Sequence, residues 1–188
     1  MATFKINGKN FATQSGTGEA TIHSDVVFPA GHVLQVVSSV KKDTDSGTSS
    51  TYETITGTDQ NGSGSVFSVV ITPKQNNSYF FVNTMLHAGI GDAYTLAFGI
   101  QRDGTILDTT SGSTMEAMAM DYANSIANSV RNVNINYLDK NASATAGTSI
   151  TYRPVIKRAI GNTWYINRIS SNAEYTSLST ITVMEIAT

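Results

Sequence analysis

The chain has 188 residues, no cysteine, a formal net charge of −2 and only 14% charged residues. This length suits one compact domain with a short additional segment, and the lack of cysteine excludes disulfide and thiolate chemistry. The weak negative charge argues against a nucleic-acid partner, and no apolar stretch approaches the roughly 20 residues of a membrane span. The N-terminus lacks the apolar core of a signal peptide, so we expect no export.

The first 28 residues form a segment of their own. Its apolar residues stand apart from one another among Gly and polar residues, and they are Phe4, Ile6, Phe11 and Ile22. Because they are too few for an independent core, we expect an arm that lies on a neighbouring subunit or on a larger assembly. Such an arm would dock by adding strands to an exposed sheet edge. The alternative, that the segment pairs with its own domain as edge strands, stays open.

Residues 29–188 are predicted to form a domain of β-strands. Short runs of β-branched and aromatic residues alternate with polar ones, and turns rich in Gly, Asn and Ser separate them. The predicted strands are 32–40, 51–56, 66–71, 79–86, 94–100, 130–137, 149–155, 162–167 and 179–186. The most apolar run, 79–86, is predicted to be a central strand covered on both faces, and the Asp103–Gly104 pair predicts a tight hairpin. This rhythm predicts a sandwich or a jelly roll.

One segment, residues 114–128, does not fit the strand pattern. Met118, Tyr122 and Ile126 lie four residues apart, which is the spacing of one helical face. The first part of the segment also fits the alternation of a strand. We expect a short helix or an irregular loop that crosses the sandwich. Its three methionines would either plug the end of the core or form an adaptable contact surface between subunits.

No arrangement of residues for catalysis or metal binding stands out. His23, His32 and His87 are the only side chains expected to titrate near neutral pH, and no Gly-x-Ser-x-Gly motif accompanies them. The 43–47 stretch has two carboxylates one residue apart but lacks the other ligands of a calcium loop, so we interpret it as a polar turn. A carboxylate pair for glycoside hydrolysis stays a weak alternative among Asp92, Asp103, Asp108, Glu116, Asp121 and Asp139. We expect no enzyme, no cofactor and no metal.

Five segments of the chain carry a resemblance to a known family. They read Pro-Ala-Gly-His-Val-Leu-Gln-Val-Val at 29–37, Asn-Ile-Asn-Tyr-Leu-Asp at 134–139, Thr-Ser-Ile-Thr-Tyr at 148–152, Trp-Tyr-Ile-Asn-Arg at 164–168 and Ser-Thr-Ile-Thr-Val-Met-Glu-Ile at 179–186. In this order and spacing, the chain resembles a module of the virion structural and tail-fibre proteins of marine tailed bacteriophages, including cyanophages.

The resemblance implies an antiparallel β-sandwich of jelly-roll type with an extended N-terminal arm. It also implies a homotrimer on the virion surface, assembled in the host cytoplasm. The side chains that it implies for the trimer seam or the sandwich core are Tyr137, Tyr152, Trp164, Tyr165, Arg168 and Glu185.

Glu185 is the charged member of that set. It shares a strand face with Ile181 and Val183, so its carboxylate points into an apolar environment. A buried carboxylate needs a partner, for which we expect Arg168 or Arg153.

Two functions stay open within this family. In the first, the chain is a structural element, either a short fibre or tip or a capsid decoration, that attaches to other virion proteins through its arm. In the second, it is a host-attachment adhesin whose loops bind a cell-surface glycan or protein. Its aromatic and Asn-rich loops would then cluster at the end away from the arm. An arm of about thirty residues disfavours a long fibre, and the low charge favours the structural role.

Overall fold

The structure, a computed structural model, describes residues 2–22, 26, 28–57, 66–91, 95–108, 117–122, 129–159, 163–169 and 176–188. Within them it shows fifteen strands: β1 (Ala2–Ile6), β2 (Lys9–Gln14), β3 (Thr21–Ile22), β4 (Val33–Lys41), β5 (Asp45–Gly47), β6 (Glu53–Thr54), β7 (Val69–Ile71), β8 (Tyr79–Ile90), β9 (Thr95–Arg102), β10 (Thr105–Ile106), β11 (Ala119–Tyr122), β12 (Val130–Asp139), β13 (Ile150–Arg158), β14 (Trp164–Ile166) and β15 (Ser179–Ile186). In this part of the chain, no helix is long and apolar enough to cross a membrane.

Two antiparallel sheets build the domain. The first has the strand order β4-β15-β8-β12, and β14 with β5 extends it along β8. The second has the order β7-β13-β9-β11, with β6 and β10 as short additions. When the eight principal strands β4, β7, β8, β9, β11, β12, β13 and β15 are counted in chain order, the sheets hold strands 1-8-3-6 and 2-7-4-5. This double Greek key is a jelly roll, so the predicted all-β, antiparallel fold class is confirmed.

The core lies between the two sheets because each strand turns every second residue inward. On β15, for example, residues 179, 181, 183 and 185 are buried and the residues between them are half-buried. The largest apolar side chains that fill the core are Trp164, Tyr152, Phe67, Phe80 and Phe98. The space between the sheets is therefore packed with side chains.

Most predicted strands occupy their predicted places, and the hairpin prediction is confirmed. Asp103 and Gly104 both have positive φ angles, 46° and 90°, as a two-residue turn between β9 and β10 requires. The predicted strands 51–56 and 66–71 are shorter, because the structure shows pairing only at β6, at β7 and at the bridge between Thr56 and Val66.

The interpretation of residues 114–128 as a helix or an irregular loop is wrong for the part that the structure describes. Ala119–Tyr122 is strand β11, and Ala119 lies opposite Phe98 on β9. Main-chain pairing with β9 outweighs the weak helix preference of Met and Ala. Met118 packs against the core, as one of the two interpretations of the methionines predicts, whereas Met120 is exposed. Residues 114–116 and 123–128 lie outside the described residues.

The interpretation of 43–47 as a polar turn is also wrong in its second half. Asp45–Gly47 is strand β5, and Gly47 lies opposite Trp164 on β14. A Cβ atom added at Gly47 would come within 2.4 Å of the indole, so glycine lets this strand lie against the large side chain.

Strand β8 is central, as predicted, but the residues on one side of it are not fully covered. Its burial alternates: one set of side chains enters the core and the other set is half-buried on the outside of the sheet. The expectation that both faces are covered is therefore wrong for the single chain.

The N-terminal segment is a small antiparallel sheet of its own. β2 lies between β1 and β3, and Asn7 and Gly8, both with positive φ, form the turn between β1 and β2. Among the described residues, the three strands pair with one another and not with the jelly roll. We refer to residues 2–22 as the arm sheet.

Candidate assembly surfaces

The arm sheet carries apolar side chains in water. Phe4 packs edge-to-face on Phe11 with ring centroids 5.8 Å apart, and Phe4, Ala12 and Ile22 form one row across the three strands. Phe4 remains 60% exposed, and Ile6, Phe11 and Ile22 are also exposed. Fully burying a Phe or Ile side chain stabilises a protein by about 1.5–3 kcal/mol. Most of that stabilisation is not realised in the isolated chain.

A second surface is the outside of the sheet β4-β15-β8-β12, which we call the outer face. Its outward positions are Val36, Ser38 and Val40 on β4, Thr180, Thr182, Met184 and Ile186 on β15, Tyr79, Phe81, Asn83, Met85 and His87 on β8, and Asn132, Asn134, Asn136 and Leu138 on β12. None of these positions is Asp, Glu, Lys or Arg. A solvent-facing sheet surface without charge is unusual, because Lys, Glu, Asp and Arg are mostly exposed.

The outer face is divided into an apolar end and a polar part. Val36, Met184, Phe81 and Leu138 stand side by side across the four strands, and we call them the apolar row. Val36 is 54% exposed, and Val33 beside Ile186 is also exposed. In the polar part, the side-chain N–H of Asn83 donates a hydrogen bond to the side-chain oxygen of Asn136 across the strand pair.

Glu185 is fully buried at the inner end of β15. Its Oε1 accepts hydrogen bonds from the backbone N–H groups of Lys74 and Gln75 at 2.8 and 3.1 Å and from Ser78 Oγ at 2.7 Å. Its Oε2 accepts a hydrogen bond from Gln35 at 2.6 Å. These donors hold the 72–78 loop against the end of the sheet.

The expected partner of Glu185, Arg168 or Arg153, is therefore wrong. Donors on the 72–78 loop, together with Gln35 on β4, satisfy the carboxylate. The Arg168 guanidinium instead lies 4.6 Å from the centre of the Tyr165 ring. Arg168 is half-buried, and its guanidinium stacks on this aromatic ring.

Asp139 forms a second buried polar site at the end of β12. It accepts hydrogen bonds from Arg102 and from the Tyr152 hydroxyl, the latter at 2.8 Å. Burial raises the pKa of Tyr152, and the charge of Asp139 and its hydrogen bond raise it further. Burial lowers the pKa of Arg102, but the hydrogen bond and the charge of Asp139 raise it by more. Tyr152 therefore keeps its proton, and Arg102 keeps its positive charge.

The remaining residues of the predicted set lie near these sites. Tyr137 packs against the core and donates a hydrogen bond to Asp108; burial, followed by this hydrogen bond, raises the pKa of Tyr137. Trp164 is buried and donates to Glu53 at 2.7 Å, and Tyr165 is half-buried on the other face of β14. Whether any of them lines a trimer seam stays a prediction.

The basic pair Lys41–Lys42 predicts a solvated strand end, and the resemblance implies that Asn167 satisfies main-chain groups or crosses a subunit boundary. Both Lys41 and Asn167 are buried, so the expectation for Lys41 is wrong. Lys41 is fully buried, and its Nζ pairs with Asp43 at 2.6 Å. Asn167, at a φ of 60°, donates to the backbone oxygens of Lys41 and Asp43, and Ser179 donates to Asn167 Oδ1. Strand alternation along residues 33–41 places Lys41 on the inward face with Ser39, and this pattern predicts the burial of Lys41.

Two of the three candidate histidines lie in the part of the chain that the structure describes. His87 Nδ1 lies within hydrogen-bond distance of the backbone oxygen of Leu178, and His32 stacks on Phe28. His23, Asp92 and Glu116 lie outside the described residues. Among those that are described, no group of three His, Asp or Glu side chains is arranged to hold a metal.

A polar cleft of about 290 Å³ opens where the arm joins the jelly roll. Its lining residues are Asn77, Tyr79, Lys140, Asn141, Ser143 and Thr188. Gly31, at the start of the domain, donates to the backbone oxygen of Ala187, next to Thr188. The cleft therefore lies at the arm end and not at the end away from the arm.

No protein-family model and no curated protein matches the sequence. Among solved structures, the chain is similar to a Gx-strain structure of infectious bursal disease virus at a TM-score of 0.39 and 17% identity, covering 83% of this chain and 38% of that one. A viral-particle crystal structure of the same virus has a TM-score of 0.39 and 12% identity, covering 94% of this chain and 39% of that one. A mutant VP2 protein from its T=1 particles has a TM-score of 0.38 and 15% identity, covering 94% of this chain and 44% of that one. The chain thus spans less than half the length of each. The likeness concerns the jelly-roll fold alone.

Proposed function

We propose that the chain is a non-enzymatic structural protein of a bacteriophage particle. In this proposal it is a homotrimeric module on the virion surface, a short fibre or tip or a capsid decoration, assembled in the host cytoplasm. Its arm holds it in the particle, and its partners are further copies of itself and other virion proteins.

The exposed apolar arm sheet is the observation that carries this proposal. A chain that worked alone would gain nothing from placing Phe4, Phe11 and Ile22 in water, whereas a chain that assembles buries them. The fold agrees with this, since jelly rolls build viral capsid domains, although the fold by itself does not decide function. Side chains fill the space between the sheets, so the surfaces left for function are the outer sides of the two sheets, the loops and the arm.

Immunogold labelling of particles tests the proposal. Antibodies against the purified chain should label the surface of particles made from the genome that encodes it. Antibodies first absorbed with the purified chain serve as the control and should label nothing. If infected cells contain the chain but their purified particles remain unlabelled, the virion role is wrong.

The second candidate function is the adhesin. The polar cleft favours it, because Tyr79, Asn77 and Asn141 offer an aromatic ring and amides of the kind that bind sugars. In that case Tyr79→Ala should abolish binding to a glycan array on which the wild-type chain binds. The position of the cleft beside the arm, where other virion proteins would lie, favours the structural role.

A further inference from the structure

The outer face is more apolar than a water-facing surface requires. Tyr79, Phe81 and Met85 point outward from β8, the most apolar run of the chain, while the residues between them fill the core. The outward residues of an antiparallel sandwich strand are usually polar. The composition of β8 is that of a strand covered on both faces, and the single chain supplies only one of the two covering layers.

The arm sheet has the matching surface. Its row of Phe4, Ala12 and Ile22 crosses three strands, and the apolar row of the outer face crosses four. Sheet faces that carry apolar rows of this kind pack on each other about 10 Å apart, as the sheets of a sandwich do. On the arm face, Lys9 stands beside the row, opposite Ile6. Pairing of the arm with a sheet edge would satisfy its main chain but leave these aromatic and aliphatic side chains in water.

Within one chain, neither surface covers the other, since both Phe4 and Val36 remain more than half exposed. The connection from Ile22 to Val33 spans at most roughly 40 Å when extended, so an arm can reach a neighbouring molecule. A second copy supplies both surfaces in equal number.

From these observations we propose that the arm sheet of one copy packs on the apolar end of the outer face of a second copy. Each copy gives one arm and receives one, a head-to-tail contact that closes into a ring such as the proposed trimer. The inference rests on the proposed function and names the partner of its arm.

Single-cysteine variants test this contact in the full chain, because the protein has no cysteine of its own. Ala2→Cys lies on the arm two residues from Phe4, and Ser38→Cys lies on the outer face two residues from Val36; both positions are exposed. The two variants, one of them isotope-labelled, are mixed and oxidised, and mixed dimers are identified by mass. Ser46→Cys, exposed on β5 of the same sheet but outside the outer face, replaces Ser38→Cys as the matched control.

We expect the Ala2–Ser38 mixed dimer to exceed the Ala2–Ser46 mixed dimer at least tenfold. Equal yields would overturn the proposal. A chain that carries both Ala2→Cys and Ser38→Cys and closes its disulfide internally at monomeric mass would overturn it as well, because the arm would then cover its own outer face. Virion labelling is measured independently of both results, so the proposed virion role can stand when this contact fails.

Discussion

At the scale of single residues, the polar groups inside the jelly roll hold loops to the sheets. Glu185 binds the 72–78 loop, and Asp139 joins β12 to β9 and β13 through Arg102 and Tyr152. Each carboxylate accepts several donors, which is the condition under which a buried charge is tolerated. These residues stabilise the fold, and their removal is expected to act on stability and not on assembly.

Glu185→Gln should lower the free energy of unfolding by about 3 kcal/mol. The amide keeps the size of the side chain but turns an NH₂ group towards donors that need an acceptor. Urea unfolding measures the effect, and Glu19→Gln on the exposed arm is the matched control, for which the change should stay within about 0.5 kcal/mol. Equal stability of the two variants would contradict the role assigned to Glu185.

The raised pKa of Tyr152 predicts a pH dependence of stability. A group whose pKa is higher in the folded chain stabilises it below the unfolded pKa, near 10, and loses this contribution as pH rises above that value. The stability difference between wild type and Tyr152→Phe should therefore be constant at neutral pH. Above pH 10 it should fall by up to about 1.4 kcal/mol per pH unit. Unfolding curves at several pH values between 8 and 11.5 test this, and a constant difference would contradict it.

At the scale of elements, turn residues and strand alternation predict most of the strands and hairpins. The remaining strands form because a neighbouring strand offers main-chain hydrogen bonds. The Asp103–Gly104 pair predicts the hairpin of β9 and β10. The Asn7–Gly8 pair is an equally strong signal for the hairpin of β1 and β2, but the interpretation of this segment as an extended arm did not use it. Strand β11 was not predictable from local preference, because its residues favour a helix and only the free edge of β9 makes them a strand. The identity of the donors to Glu185 depends on a loop distant in sequence, which periodicity does not reveal.

The close approach of β5 to β14 gives a prediction at this scale. Gly47→Ala should lower the free energy of unfolding by about 1–3 kcal/mol, because the new methyl group collides with the Trp164 ring and displaces it. Trp164 is the only tryptophan, so fluorescence reports directly on its displacement. Ser46→Ala, on the exposed side of the same strand, should change neither the free energy of unfolding nor the tryptophan emission. An unshifted emission spectrum for Gly47→Ala would show that the strand is not packed in this way.

At the scale of the whole molecule, the jelly roll has its own core, and the arm sheet has almost none. The arm contributes an exposed apolar surface, and the outer face supplies an uncharged surface of matching kind. The fold class could be predicted from the sequence, whereas the outer face could not, because it arises only when four strands distant in sequence stand side by side.

The most direct test of the account is the solution mass, by light scattering, of the full chain and of residues 29–188. Circular dichroism first confirms that the shortened chain keeps its sheet content. We expect three times the 20.0 kDa chain mass for the full chain and a monomer for residues 29–188, because the arm joins the copies. A trimer in both would place the subunit contact in the jelly roll and contradict the role of the arm as the clasp. A monomer in both would contradict the account of self-assembly itself.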